Sequence, residues 1–138
     1  MAAEIIDGKA IAREIREGLK DRIRLLREQK GVTPCLAVVL VGDDPASKTY
    51  VRNKERACNE VGICSRVLRL PDSTSQHELM RLVNRLAYDP DVHGILVQLP
   101  LPAHLDMDPV LMAVPWQKDV DGLHVHNVGC LSTGRNGF

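Results

Sequence analysis

The run Cys35-Leu-Ala-Val-Val-Leu-Val41, followed directly by Gly42-Asp43-Asp44-Pro45, decides how this chain folds. An unbroken apolar run without alternation suits a strand buried on both faces, as in the interior of a parallel sheet. The four residues after it carry turn and helix-start chemistry. Gly42 turns the chain, Asp44 fits an N-cap, and Pro45 fits the first helical position, where its missing N–H would have had no partner anyway. A buried strand passing at once into a helix is half of a βαβ unit. Further strands are read at about 64–70 and at 94–99, Gly94-Ile-Leu-Val-Gln-Leu99, so strand starts recur about every 30 residues, the spacing of βαβ units. Right-handed crossovers then put helices on both faces of a parallel sheet. The expected fold class is α/β: a three-layer βαβαβ domain.

The helices between these strands announce their ends. Residues 7–30 read as a helix capped by Asp7 and stopped by Gly31. Ile11, Ile15, Leu19, Ile23 and Leu26 recur at steps of three or four and give it an apolar stripe. Arg13, Arg16, Glu17, Lys20, Arg24 and Arg27 make its solvated side. A second helix is expected over 45–61, stopped by Gly62. Ser75 and Glu78 match a capping box, and Leu79, Leu82, Val83 and Leu86 form the apolar face behind it. A short helix near 106–113, an acidic loop at 118–122 and a glycine-rich tail complete the chain.

Bulk properties remove several classes of function. A chain of 138 residues suits one domain with one core. Lys plus Arg number 18 and Asp plus Glu number 18, so the basic excess of a nucleic-acid binder is missing. No apolar run approaches the roughly 20 residues that cross a bilayer. The N-terminus, Met1-Ala-Ala-Glu-Ile-Ile6, lacks the basic and apolar regions of a secretory signal, and a cytoplasmic protein is expected. The four cysteines, Cys35, Cys58, Cys64 and Cys130, show no Cys-x-x-Cys spacing and read as buried, reduced thiols rather than disulfides or zinc ligands. With only Tyr50, Tyr88, Trp116 and Phe138 as aromatics, the core must be aliphatic, and any exposed aromatic becomes informative.

Open parallel sheets bind ligands beyond the carboxyl ends of their strands, and three features converge there. Ser47, Tyr50 and Lys54, spaced i, i+3, i+7, share one face of the second helix. Lys54 borders the apolar stripe of Val51, Cys58 and Val61. Desolvation at that border would let its amine exchange protons nearer neutrality. Spacing alone favours instead a lysine whose stem covers apolar surface while its head reaches water. In Gln98-Leu-Pro-Leu-Pro102 the prolines force an extended path, and Gln98 is held at the strand end, to orient a polar group or to satisfy backbone. In Lys118-Asp-Val-Asp-Gly122 two carboxylates could accept paired hydrogen bonds from an amino-heterocycle, or could simply decorate a surface turn. His124 and His126 lack a third ligand for zinc. Gly42-Asp43-Asp44 would repel phosphate, and no Gly-x-Gly-x-x-Gly occurs, so no dinucleotide fingerprint is present.

In company these motifs are far more specific. Tyr50-Val-Arg-Asn-Lys54-Glu-Arg-Ala-Cys58, His93-Gly-Ile-Leu-Val-Gln98-Leu-Pro-Leu-Pro102 and Lys118-Asp-Val-Asp121-Gly122, in that order, closely resemble the bifunctional methylenetetrahydrofolate dehydrogenase/methenyltetrahydrofolate cyclohydrolase family, over essentially the whole chain. The resemblance implies a folate-binding catalytic domain at 1–138, with an NADP-binding Rossmann domain expected after 138 and missing here. It implies Lys54 as catalytic lysine, Gln98 as the amide that tunes it, Tyr50 packed along the folate, and Asp121 holding the amino edge of the pterin. Ser47, Val97, Leu99 and Pro100 join Tyr50, Gln98 and Asp121 as substrate-binding positions. Tetrahydrofolate derivatives are the implied partners, NADP is the cofactor of the full-length enzyme, and the full-length family is commonly homodimeric. No metal, nucleic acid or membrane is implied. Leu123, Val125 and Cys130 stand where the family usually has an aromatic, a proline and an arginine. Loss of the family's last helix is expected to expose an apolar patch. The alternatives are a folate- or partner-binding fragment without turnover and a flavodoxin-like regulatory domain.

Overall fold

The computed structural model describes residues 5–137. The expectations that touch residues 1–4 and Phe138 lie outside the described residues. The decisive run forms β1 (Cys35–Val41), with β2 (Cys64–Leu70) and β3 (Gly94–Val97) parallel to it in the order β2-β1-β3. Central position explains the composition of β1: Ala37, Val38 and Val39 are all 0% exposed, so both faces are covered. The register pairs Cys35–Val41 with Cys64–Leu70 on one side and Leu36–Val39 with Gly94–Val97 on the other.

The helices α1 (Gly8–Lys30), α2 (Pro45–Val61), α3 (Gln76–Tyr88), α4 (Met107–Ala113) and α5 (Val125–Ser132) surround this sheet. On one face Ala37, Val39, Val41, Ile95 and Val97 pack with Leu79, Leu82, Val83 and Leu86 of α3 and Val110 of α4. On the other, Val38, Leu40 and Leu96 pack with Val51 of α2. This is the expected three-layer α/β arrangement. Its caps are those read from the sequence. Asp7 accepts from the N–H of Lys9 and Ala10, Asp44 accepts from Ser47 N–H at 2.7 Å, and Ser75 and Glu78 bond reciprocally. Gly31 and Gly62 close α1 and α2 at φ 66° and 87°, a left-handed backbone that other residues adopt at a cost.

Four expectations change. β3 ends at Val97 rather than Leu99, because Gln98 N–H makes a last bond to Val39 O at 2.9 Å and Pro100 has no N–H to extend the ladder. The apolar stripe of α1 is only partly buried. Ile23 is 6% exposed while Ile11 and Ile15 are 48% and 57% exposed, because α1 rests on α2 rather than on the sheet, with Arg27 donating to Gly62 O and Arg16 and Lys20 facing Glu60. Cys64 is exposed, since it opens an edge strand, and Cys130 is half-buried, whereas Cys35 and Cys58 are buried as expected. Part of the segment read as a tail is the helix α5.

Candidate active site

Helix α2 leaves the carboxyl end of β1 with Asp44 as its cap, and the first turns of the helix set the height of each candidate. Ser47 is 2% exposed, and both its N–H and its hydroxyl turn to the Asp44 carboxylate, which they hold below its usual range. It therefore stiffens the helix start. One turn on, the Tyr50 ring is 60% exposed, and a turn further Lys54 is half-buried beside the buried Val51 and Cys58. The i, i+3, i+7 spacing places the three along one side, but at graded depth.

Lys54 reaches across to the end of β3, where its Nζ donates to Gln98 Oε1 at 2.9 Å. Gln98 is fixed at both ends. Its backbone N–H is the last ladder donor to Val39, and its Nε2 donates to Leu99 O at 2.7 Å. Since an ammonium can only donate, the amide has to present its oxygen to the lysine, and the Nε2 bond to Leu99 keeps it turned that way. A neutral acceptor orients the lysine without the clamp of a full counter-charge. Leu99 is half-buried and Pro100 exposed across a cis peptide bond, while Val97 is 3% exposed, so its side chain belongs to the core and only its backbone borders the ledge.

The segment 118–122 supplies the third component. It runs beside β3: Ile95 N–H donates to Lys118 O at 2.7 Å, and Ile95 bridges Asp119 in parallel. Beyond that bridge the chain bends at Val120 and Asp121, and Asp121 comes near enough to Lys54 for the lysine's charge to act on its carboxyl. Each residue of the segment has its own task. Lys118 Nζ donates to Asp89 O at 2.8 Å, gripping the carboxyl end of α3. Val120 packs onto Gly94, where a Cβ would come within 2.7 Å of Val120 Cγ1.

Asp119 is 6% exposed, and its Oδ2 accepts from His124 N–H at 2.8 Å and from Asn127 Nδ2 at 2.9 Å. Burial alone would raise this carboxyl, but the Asn127 amide and the N–H groups of His124, Leu123 and Gly122 outweigh it and hold it below its ordinary value. Asn127, fully buried on α5, also donates to Trp116 O at 2.9 Å. Asp119 and Asn127 together pin the turn that displays Asp121; Asn127 was not read as functional in the sequence, and Asp119, read there with Asp121 as a possible ligand acceptor, turns out to be spent inside the protein. No local feature separates Asp119 from Asp121; the bridge to β3 decides which of the two is buried.

Asp121 stands at the solvent lip. Crowding by protein raises its carboxyl, Lys54's charge works against that rise, and Asp119's adds to it. The ledge therefore brings together a partly buried lysine, a fixed amide, a carboxylate that feels the lysine's field and an exposed aromatic ring on the same helix. His124 and His126 take no part. His124 Nδ1 accepts from His126 N–H at 3.1 Å as the cap of α5, and the His126 ring lies 4.3 Å from that of Trp116. A hollow of ≈ 750 Å³ lies elsewhere, between the end of β2 and α3, lined by Thr74, Arg81 and Arg85. Its volume does not make it the better site, because the convergent polar groups are on the ledge.

The family model "Tetrahydrofolate dehydrogenase/cyclohydrolase, catalytic domain" matches residues 6–121. The bifunctional protein FolD of Moorella thermoacetica is 55% identical over 138 residues, covering 100% of this chain and 49% of its own length. The crystal structure of the bifunctional methylenetetrahydrofolate dehydrogenase/cyclohydrolase FolD from Campylobacter jejuni superposes with a TM-score of 0.96 at 50% identity, over 99% of this chain and 49% of that one. The FolD of Trypanosoma brucei, solved with NADP cofactor and inhibitor, gives 0.92 at 38% identity, over 99% and 47%. The chain thus spans about half the length of the curated relatives it matches.

Proposed function

This chain belongs to the tetrahydrofolate dehydrogenase/cyclohydrolase family, and from that premise we propose that its ledge binds a tetrahydrofolate derivative and hydrates the 5,10-methenyl bridge to give 10-formyltetrahydrofolate. The observation that carries this reading is the 2.9 Å bond from Lys54 Nζ to Gln98 Oε1 at the carboxyl end of the sheet. Water attacking the bridge carbon must lose a proton, and the carbon–N5 bond must break with a proton delivered to N5. Lys54 is the group placed to relay that proton, and Gln98 fixes where its nitrogen sits. The Tyr50 ring offers a flat apolar surface for the folate. Asp121 accepts the paired N–H groups of the pterin's amino edge, a charge-assisted recognition. Leu99, Pro100 and the Val97 backbone border the ledge, and Ser47 stiffens the start of the helix that carries Tyr50 and Lys54.

In the longer proteins of the family we assign residues equivalent to 1–138 to the folate-binding catalytic domain, with NADP oxidising 5,10-methylenetetrahydrofolate from a second, Rossmann domain. The residues here do not suit the nucleotide. At the turn after β1, where a phosphate loop would lie, Asp43 and Asp44 are anionic, and Lys48 is already paired with Asp43 at 2.6 Å. No hydride step is assigned to this chain.

The test is hydrolysis of 5,10-methenyltetrahydrofolate, followed by its absorbance, comparing the chain with Lys54→Met. Loss of turnover by about 100-fold or more with folate binding retained supports proton relay. Equal rates in the two proteins would refute it and leave a folate-binding fragment without turnover.

A further inference from the structure

We propose that Cys35 and Cys64 form a dithiol site that a peroxide converts to a cross-strand disulfide, at the end of the sheet opposite Lys54. The two residues open their strands and are register partners across β1 and β2. Register partners on parallel strands project from the same face, and adjacent strands lie about 4.8 Å apart, within the Cα separation of about 4.4–6.8 Å that disulfides span. The Cys64 thiol lies against that of Cys35, and both are reduced.

Exposure divides their roles. Cys35 is 4% exposed, whereas Cys64 is open to solvent on an edge strand. Both line a hollow of ≈ 360 Å³ together with Gly31, Arg66 and His93, which has room for a molecule as small as hydrogen peroxide. His93 fixes the buried partner from both sides: its Nδ1 accepts from Cys35 N–H at 3.1 Å, and its own N–H donates to Cys35 O at 2.9 Å. Closure therefore falls to the exposed side chain of Cys64, the first residue of the edge strand. Arg66, next on the same face of β2, adds a positive charge that it shares with Asp89 at 2.8 Å and Asp91 at 4.0 Å.

The chemistry balances. The Cys64 thiolate attacks one peroxide oxygen, the O–O bond breaks, and the departing hydroxide takes up a proton to leave as water, giving Cys64 sulfenic acid. The Cys35 sulfur then displaces the hydroxyl, whose departure with the Cys35 proton yields a second water. Two thiols lose two electrons and one peroxide gains them. Burial, then contact with Cys64, push the Cys35 thiol up, which suits it to the second step rather than the first.

The experiment treats the chain with hydrogen peroxide, blocks remaining thiols in denaturant, and digests with trypsin plus a protease cleaving after glutamate. The second cut, at Glu60, is needed because one tryptic peptide, 57–66, holds both Cys58 and Cys64. Expected is a linked pair of peptides, 31–48 with 61–66, lighter by two hydrogens than their sum, formed equally in Cys58→Ala. In Cys35→Ser the link disappears and Cys64 sulfenic acid is trapped by a carbon nucleophile. Cys64 recovered unmodified, oxidised only to sulfinic acid, or joined to Cys58, to Cys130 or to a second chain would overturn the assignment.

Discussion

Asp119 and Asp121 flank one valine, and their carboxyls shift in opposite directions. Asp119 is lowered, so its contribution to stability is present above its ordinary value near 3.8 and fades as pH falls through the lowered value. Asp121 is raised, so the stability it allows is complete below 3.8 and declines as pH rises through the raised value, which makes its charge a cost at neutral pH. Asp121→Asn should therefore raise the melting temperature at pH 7, lose that advantage near pH 3, and weaken binding of a reduced folate; calorimetry at the two pH values checks all three. Asp119→Ala should instead cost about 1–3 kcal/mol at pH 7, measured by urea unfolding, because it strips a buried acceptor from Asn127. The sequence pointed to Asp121, and to Lys54, Gln98 and Tyr50, through the resemblance that their motifs carry together, since spacing alone did not single any of them out. The structural part of Asp119 was hidden because it depends on the bridge to β3 and on Asn127 of α5, neither of which the local pattern announces.

Elements were legible where their ends carry chemistry. Asp7, Asp44 and the Ser75–Glu78 box cap α1, α2 and α3, and Ser75→Ala should cost about 1 kcal/mol in chemical unfolding. α5 was not legible. It has eight residues, contains Gly129 and buries only Asn127, so it owes its place to tertiary bonds with Asp119 and Trp116 rather than to periodicity. The fit of segment 118–122 on β3 gives a test at this scale. In Gly94→Ala the new methyl meets Val120 Cγ1 at 2.7 Å and Leu36 Cδ1 at 3.3 Å. The segment must shift, and with it Asp121. A several-fold loss of reduced-folate affinity, with far-UV circular dichroism unchanged, is the expected outcome; unaltered affinity would show that the segment does not set the position of Asp121.

For the whole molecule, strand spacing and unbroken apolar runs were enough to read a three-layer parallel sheet. Periodicity in α1 marked its apolar face but could not say what covers it, since that depends on where α2 lies. Ile23 faces α2 and Ile15 faces outward. Ile23→Ala should cost about 2–4 kcal/mol by urea unfolding and Ile15→Ala under about 0.5 kcal/mol; similar costs would mean that α1 packs along its full length. The central strand has one more consequence. β1 runs seven residues from Cys35 to Val41, roughly 20 Å at about 3.3 Å per residue, with an exposed thiol beside its first residue and the ledge proposed to hold folate beyond its last. A fluorophore or a surface tether attached to Cys64 would sit at the pole remote from the ledge, a ready handle for reporting ligand capture without obstructing it.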